Sequence, residues 1–314
     1  VETLRRLREA GTTVVIAEHR LHLVREVADR VVVLRDGRVH ADWTAAELSR
    51  LDDATLEAEG LRSARTAPAR ALPTVRATGA SIAPQPDTTT GPAGDDTSGL
   101  TLEDIRSGFR GRVVLGVDHA HLPAGAVTAV RGPNGVGKTT LARVVAGLQR
   151  HQGVVRLDGR PLSRAQRQRS TSIVMQDVQR QLFTDSVTAE AGLDTPADGG
   201  SARRAADLLR DLGLETLGER HPLALSGGQQ QRLVVATARM ARRPVVVLDE
   251  PSSGVDRRHL ASITRAIREL AQDGAVVLLV SHDDDLIGLA ADHELVLGTP
   301  DRAATPMAHE RTHP

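Results

Sequence analysis

The stretch Gly132-Pro-Asn-Gly135-Val-Gly137-Lys138-Thr139-Thr140 limits what this chain can fold into more than any other feature. The apolar run Val127-Thr-Ala-Val130 precedes it, and Leu141-Ala-Arg-Val-Val-Ala146 continues it as a helix. A glycine-rich loop between strand and helix lets successive backbone N–H groups curl inward around phosphate oxygens. The helix N-terminus adds partial positive charge. Lys138 stands where an ammonium reaches the β and γ phosphates of a nucleotide, and Thr139 where a hydroxyl meets a divalent cation. Composition sharpens this. Of the 40 basic residues Lys138 is the only lysine, so this position demands a compact ammonium rather than a broad guanidinium fork.

A second run, Pro244-Val-Val-Val-Leu248-Asp249-Glu250-Pro251, reads as a fully apolar strand ending in two carboxylates. In an open α/β sheet, ligands bind at the carboxyl ends of strands. There Asp249 can hold Mg²⁺ through water, and Glu250 can orient or deprotonate an attacking water. Taken alone, the pair also fits a solvated strand end.

Leu225-Ser226-Gly227-Gly228-Gln229-Gln230-Gln231-Arg232 resembles the signature sequence of ATP-binding-cassette (ABC) ATPases, at the family's usual interval before the Asp-Glu strand. The resemblance spans roughly residues 100–299 and implies an α/β P-loop NTPase of ABC type with a helical signature subdomain. It implies ATP and Mg²⁺ as ligands. The loop residues Asn134, Gly135, Gly137, Lys138, Thr139 and Thr140 would bind phosphate, and Thr139, Gln176 and Asp249 would surround the metal. Glu250, His282 and Gln176 would carry catalysis. Ser226, Gly227 and Gly228 would cap the nucleotide held by a partner domain. Ser252-Ser-Gly-Val-Asp256 resembles the loop that crosses the dimer interface. Phe109 stands where the family places an adenine-stacking aromatic, although a core phenylalanine reads almost the same.

An internal repeat organises the rest. Gly11-Thr-Thr-Val-Val-Ile-Ala-Glu-His19 matches Gly274-Ala-Val-Val-Leu-Leu-Val-Ser-His282 at an offset of 263 residues, and Ala28-Asp29 falls on Ala291-Asp292. Each copy reads as helix, glycine stop, β-branched strand, histidine, helix and strand. Residues 1–58 therefore read as the C-terminal remnant of a first cassette, a partial second copy ahead of the complete one. The simplest account is a truncated tandem protein; a degenerate domain kept for packing is the alternative. No phosphate loop or Asp-Glu strand precedes His19, so the first copy is expected to add nothing to nucleotide chemistry. Residues 59–99, rich in Pro, Thr, Gly and Ala, read as flexible linker, and 300–314 as a polar tail.

Lys+Arg and Asp+Glu each total 40, and aromatics make up 1%. Neither a basic field nor base-stacking platforms are present, so nucleic acid is not an expected partner. No apolar run approaches the roughly 20 residues of a membrane span. Work at a membrane would need a transmembrane partner subunit and a second ATPase domain, with this chain peripheral on the cytoplasmic face. Arg180-Gln181-Leu182-Phe183-Thr184-Asp-Ser-Val187 resembles the energy-coupling-factor group of ABC importers, which serve vitamins and metal ions. A soluble tandem ABC ATPase acting on ribosomes is the alternative. His119-Ala-His121 could place two imidazoles on one strand face, too few for a metal site by themselves, and His309, Glu310 and His313 read as solvated.

Overall fold

The computed structural model describes residues 2–17, 27–35, 37–52, 55, 56, 59, 61, 71–75, 98–109, 112–193, 195, 199–253, 255 and 257–298. The first copy opens with helix α1 (Glu2–Glu9), followed by the antiparallel hairpin β1 (Arg30–Arg35) and β2 (Arg38–Thr44) and by helix α2 (Ala45–Arg50). Thr44 and Glu47 form a reciprocal capping box that fixes the start of α2. This hairpin and helix bury their own small cluster, Leu48 and Leu56 with Val31, Trp43, Leu51 and Leu61. The expected strand at residues 13–17 is not part of any sheet among the described residues. A strand exists only through its neighbours, and none pairs with it here.

Strands β3 (Gly99–Phe109) and β4 (Arg112–Pro123) form a long hairpin, followed by β5 (Val127–Arg131) and helix α3 (Lys138–Val145). Next come β6 (Gln152–Leu157), β7 (Arg160–Pro161), α4 (Arg164–Ser170) and β8 (Thr171–Val174). A helical layer contains α5 (Val187–Gly192), α6 (Ser201–Asp211) and α7 (Gly227–Met240). The chain closes with β9 (Val245–Asp249), α8 (Arg257–Gln272), β10 (Val276–Val280), α9 (Asp284–Ala290) and β11 (His293–Val296).

Five strands make a parallel sheet in the order β11-β5-β10-β9-β8, and β4-β3-β6-β7 make an antiparallel one. Period-2 alternation divides the parallel strands between two cores. Val246, Leu248, Val277 and Leu279 face the helical layer. Val245, Val247, Val276 and Leu278 face α3 and the antiparallel sheet. Both faces are covered, which is why β9 and β10 read as unbroken apolar runs. Truncating fully buried Leu248 to Ala would cost about 2–5 kcal/mol.

Residues 71–75 fall within the stretch expected as linker, yet they are held. Thr74 bridges Glu294 in parallel, Val75 N–H donates to Glu294 O at 2.7 Å, and Leu72 is buried in the helical-side core. They extend the parallel sheet beyond β11. Among the described residues no helix is long and apolar enough to cross a membrane.

Candidate nucleotide site

The parallel order puts the carboxyl ends of β5, β9 and β10 side by side, and the loops leaving them converge on one cleft. After β5 the backbone turns through left-handed glycines. Gly137 has φ 106°, and a Cβ there would stand 2.9 Å from Val114 O; a Cβ on Gly132 would stand 2.5 Å from Leu297 O. Only glycine permits this loop to enter α3 where it does. Lys138 begins the helix, is 8% exposed, and donates from Nζ to Gly132 O at 2.8 Å and Pro133 O at 3.0 Å. Its ammonium is therefore folded over the loop mouth, held by backbone oxygens that a phosphate can replace.

Asp249 ends β9 at 4% exposure, and the Thr139 hydroxyl hydrogen-bonds its carboxylate. Burial pushes this carboxyl above the usual carboxylate range, against the Thr139 hydrogen bond and the charges of Arg143, Lys138 and His282. Glu250 follows with φ 56°, a left-handed conformation that costs a non-glycine residue about 1–3 kcal/mol. Its backbone is over-determined: its N–H donates to Val280 O at 2.8 Å, and its carbonyl accepts from Gln231 Nε2 at 3.3 Å. The Glu250 carboxylate lies 4.0 Å from His282 Nε2 and accepts from Ser281 Oγ at 3.5 Å. Burial again raises its pKa, with His282 the chief opposing influence.

Lys138, Thr139, Thr140, Asn134, Gly135, Gly137, Gln176, Asp249, Glu250 and His282 all line a single cleft of 760 Å³. Three groups proposed from the sequence lie elsewhere. Phe109 is 70% exposed at the end of β3 and does not line the cleft, whereas Val114 does. Ser226, Gly227 and Gly228 start α7 outside it; Ser226 caps the helix in a reciprocal box with Gln229 and remains exposed. His119 and His121 join no group of three metal-ligating residues among those described, and His121 Nδ1 pairs with Thr101 Oγ1 at 3.1 Å. Glu18, His19, Asp256, His309, Glu310 and His313 lie outside the described residues. Of the described first copy, Ala17 alone reaches the cleft wall, with a methyl group and no chemistry.

Sequence reading missed the residues that hold the site in place. Ser252 Oγ donates to the buried Asp283 carboxylate at 2.7 Å, and Asp283 N–H donates to Ser281 Oγ at 3.1 Å. This ties the loop after β9 to the loop after β10. Gln181 accepts from Met175 N–H at 2.7 Å and donates to Ile173 O at 2.6 Å, so its amide acts as a strand partner beside Gln176. Glu190, 1% exposed, accepts from Phe183 N–H, Thr184 N–H and Thr184 Oγ1. The Ser252–Asp283 spacing carries no local pattern, but Asp283 as the N-cap of α9 was visible from the Asp-rich start of that helix.

The donor set fits MgATP. Thr139, Gln176 and Asp249 offer hard oxygens in one cleft, as Mg²⁺ requires, and the left-handed glycines Gly132 and Gly137 hold the loop against the Leu297 and Val114 backbone beside it. Comparison with known proteins agrees. The family model described as ABC transporter matches residues 117–253. An ATP-binding protein of Pyrococcus abyssi, described as belonging to an ABC transporter, is 37% identical over 181 residues, covering 55% of this chain and 70% of that protein. The chain belongs to the ABC transporter family. Members of this ABC ATPase family hydrolyse ATP. A longer ABC transporter ATP-binding protein of Treponema denticola is 35% identical over 300 residues, 94% of this chain. The chain spans only 58% of that relative. The Bacillus subtilis HMP/thiamine import ATP-binding protein YkoD is 37% identical over 180 residues, 56% of this chain and 33% of YkoD. Among solved ABC cassettes, cbiO1 of Clostridium perfringens, part of the complex cbiONQ, superposes with TM-score 0.56 at 27% identity, covering 64% of this chain and 85% of its own.

Proposed function

We propose that this chain hydrolyses ATP at the Lys138 cleft to drive an importer of the energy-coupling-factor type, taking up a vitamin or a metal ion. The observation that carries the chemistry is the convergence of Lys138, Thr139, Asp249, Glu250 and His282 on one cleft. The loop amides and Lys138, once its ammonium leaves Gly132 O and Pro133 O, would neutralise the β and γ phosphates. Thr139 and Asp249, with Gln176 lining the same cleft, would hold Mg²⁺, which would supply positive charge to offset that of the phosphates. Glu250 takes the proton of the attacking water; its raised pKa brings it closer to the water it must activate. His282 stands 4.0 Å from that carboxylate and would contact the γ phosphate. Ser226, Gly227 and Gly228, outside this cleft, would serve the nucleotide of a second cassette, and the exposed Phe109, also outside the cleft lining, would stack the adenine of a nucleotide that extends beyond it.

Three lines favour the import assignment. The segment Arg180–Val187 resembles that group, and the thiamine import protein and the cbiO1 structure are relatives. A match over 300 residues also reaches beyond the 100–299 cassette, which supports residues 1–58 as part of a first one. The partner would be a transmembrane subunit, with this chain on the cytoplasmic face. Detergent-solubilised purification of the tagged chain tests the assignment. We expect a polytopic membrane protein to co-purify stoichiometrically and ATPase activity that Lys138→Ala removes. Co-sedimentation with ribosomes, with no membrane partner, would replace transport by the ribosomal alternative.

A further inference from the structure

Strand β5 is buried from Val127 to Val130 and then ends in a charge, Arg131, which does not line the nucleotide cleft. Arg131 instead shares the wall of a separate cavity of 250 Å³ with Lys138, His282 and Asp284. A charge at the end of a buried strand is costly unless it is paired, and here the pairs are specific. Arg131 Nη2 donates to Asp284 Oδ1 at 2.9 Å, and Nε, closed off from solvent, lies 3.6 Å from Glu294 Oε2. Glu294 is itself fixed. Its other carboxylate oxygen accepts from Thr74 Oγ1 at 3.3 Å, its N–H donates to Pro73 O, and its carbonyl accepts from Val75 N–H. Strand β5 lies between β10 and β11, so Arg131 reaches a partner on each flank of its own strand.

The segments so tied are those that carry the chemistry. Arg131 directly precedes Gly132, whose carbonyl accepts from Lys138 Nζ, and Asp284 opens α9 two residues after His282. The neighbouring Asp283 binds Ser252 in the loop after β9. Because β10 lies between β5 and β9, two consecutive carboxylates clasp its loop to the loops on both sides. We propose that Arg131 is a positioning residue for hydrolysis, and that its ion pair with Asp284 sets where His282 stands relative to the phosphate loop. This rests on the reading of His282 as a contact to the γ phosphate. Arg131 stands outside the nucleotide cleft and acts through His282 rather than on the substrate. A partly exposed ion pair adds little to stability, but a misplacement of about 1 Å at a reacting group can cost about 10²-fold in rate. The pair therefore matters more to turnover than to folding.

Steady-state ATPase kinetics of the full chain, beside amide exchange without nucleotide, test this in Arg131→Ala and in Asp284→Asn, which removes only the partner's charge. Both variants should lower kcat by about tenfold or more and leave KM for MgATP within about threefold. The double variant should be no slower than the slower single one, because the two residues act as a unit. In a His282→Ala background, Arg131→Ala should change kcat by less than about twofold. Exchange at residues 281–284 should quicken in both single variants. Unchanged kinetic constants in both would make the pair an inert brace and overturn the proposal. A raised KM at unchanged kcat would also overturn it, since Arg131 would then shape nucleotide binding. So would a tenfold loss that persists without His282. Unchanged exchange at residues 281–284 sinks the clamp alone, whereas wild-type hydrolysis that survives Lys138→Ala sinks the function beneath it.

Discussion

Lys138 carries its charge against two backbone oxygens, so its length and compactness decide whether it can move onto phosphate. Lys138→Arg should lose high-affinity ATP binding almost as fully as Lys138→Ala, because the planar fork cannot thread the same loop. Calorimetric titration with MgATP checks this; an Arg variant with unchanged affinity removes the geometric argument. Glu250→Gln should bind MgATP but lose turnover about 10²–10⁴-fold, since the proton acceptor goes while the site's shape stays. A rate within tenfold of wild type would show that Glu250 is not the base. Asp249 makes a pH statement. Burial raises its pKa, so the native state holds the proton more tightly than the unfolded chain. Its contribution to stability is full below the ordinary Asp pKa and is lost as pH rises through the raised value. Burial opposes the ionised carboxylate, so above that raised pKa Asp249→Asn should raise the Tm of the nucleotide-free protein. That gain should shrink toward zero in acid. Thermal scans across pH without nucleotide decide it, and an Asn variant that melts lower above that pKa contradicts the sign.

Elements were legible in the sequence where they are buried on both faces or capped. β9 and β10 stood out as unbroken β-branched runs because helices and a second sheet cover them. α7 and its cap were legible from Ser226 and Gln229. The docking of residues 71–75 was not, because Leu72 and Val75 are two apolar residues among Pro and Thr, too few for any periodicity. Nor was the role of Glu190, since a buried carboxylate bonded to loop amides leaves no pattern in its neighbours. That loop gives an element-scale prediction. Glu190→Ala strands the Phe183 and Thr184 N–H groups, leaves the Thr184 hydroxyl only Ser186 O, and should cost about 2–4 kcal/mol. Glu190→Gln keeps an acceptor oxygen and should cost distinctly less. Urea unfolding of both variants measures the difference, with amide exchange at residues 182–187 locating it. Equal, small losses would mean that other contacts set the loop.

At the scale of the whole molecule, the nucleotide cleft and the start of α7 are separate places on one cassette. Ser226, Gly227 and Gly228 lie outside the cleft that gathers Lys138, Asp249 and Glu250, so one chain cannot close its own site with them. Two cassettes meeting head to tail would complete both sites, either as two copies of this chain or as one copy with another ABC ATPase domain. Association then limits catalysis, and turnover per chain should rise with protein concentration toward a plateau. Glu250→Gln, which halts hydrolysis after binding, should accumulate as a dimer in MgATP and dissociate when nucleotide is removed. Residues 1–58 should matter little to this behaviour. Their apolar cluster around Leu48 and Leu56 is separate from both cassette cores, and Ala17 brings only a methyl group to the cleft. A variant lacking residues 1–58 should therefore keep both the concentration dependence and the MgATP-trapped dimer. Sedimentation velocity beside an ATPase dilution series measures all of this at once. A rate per chain that stays flat across the series, together with a monomeric Glu250→Gln variant in MgATP, would show that each site works alone.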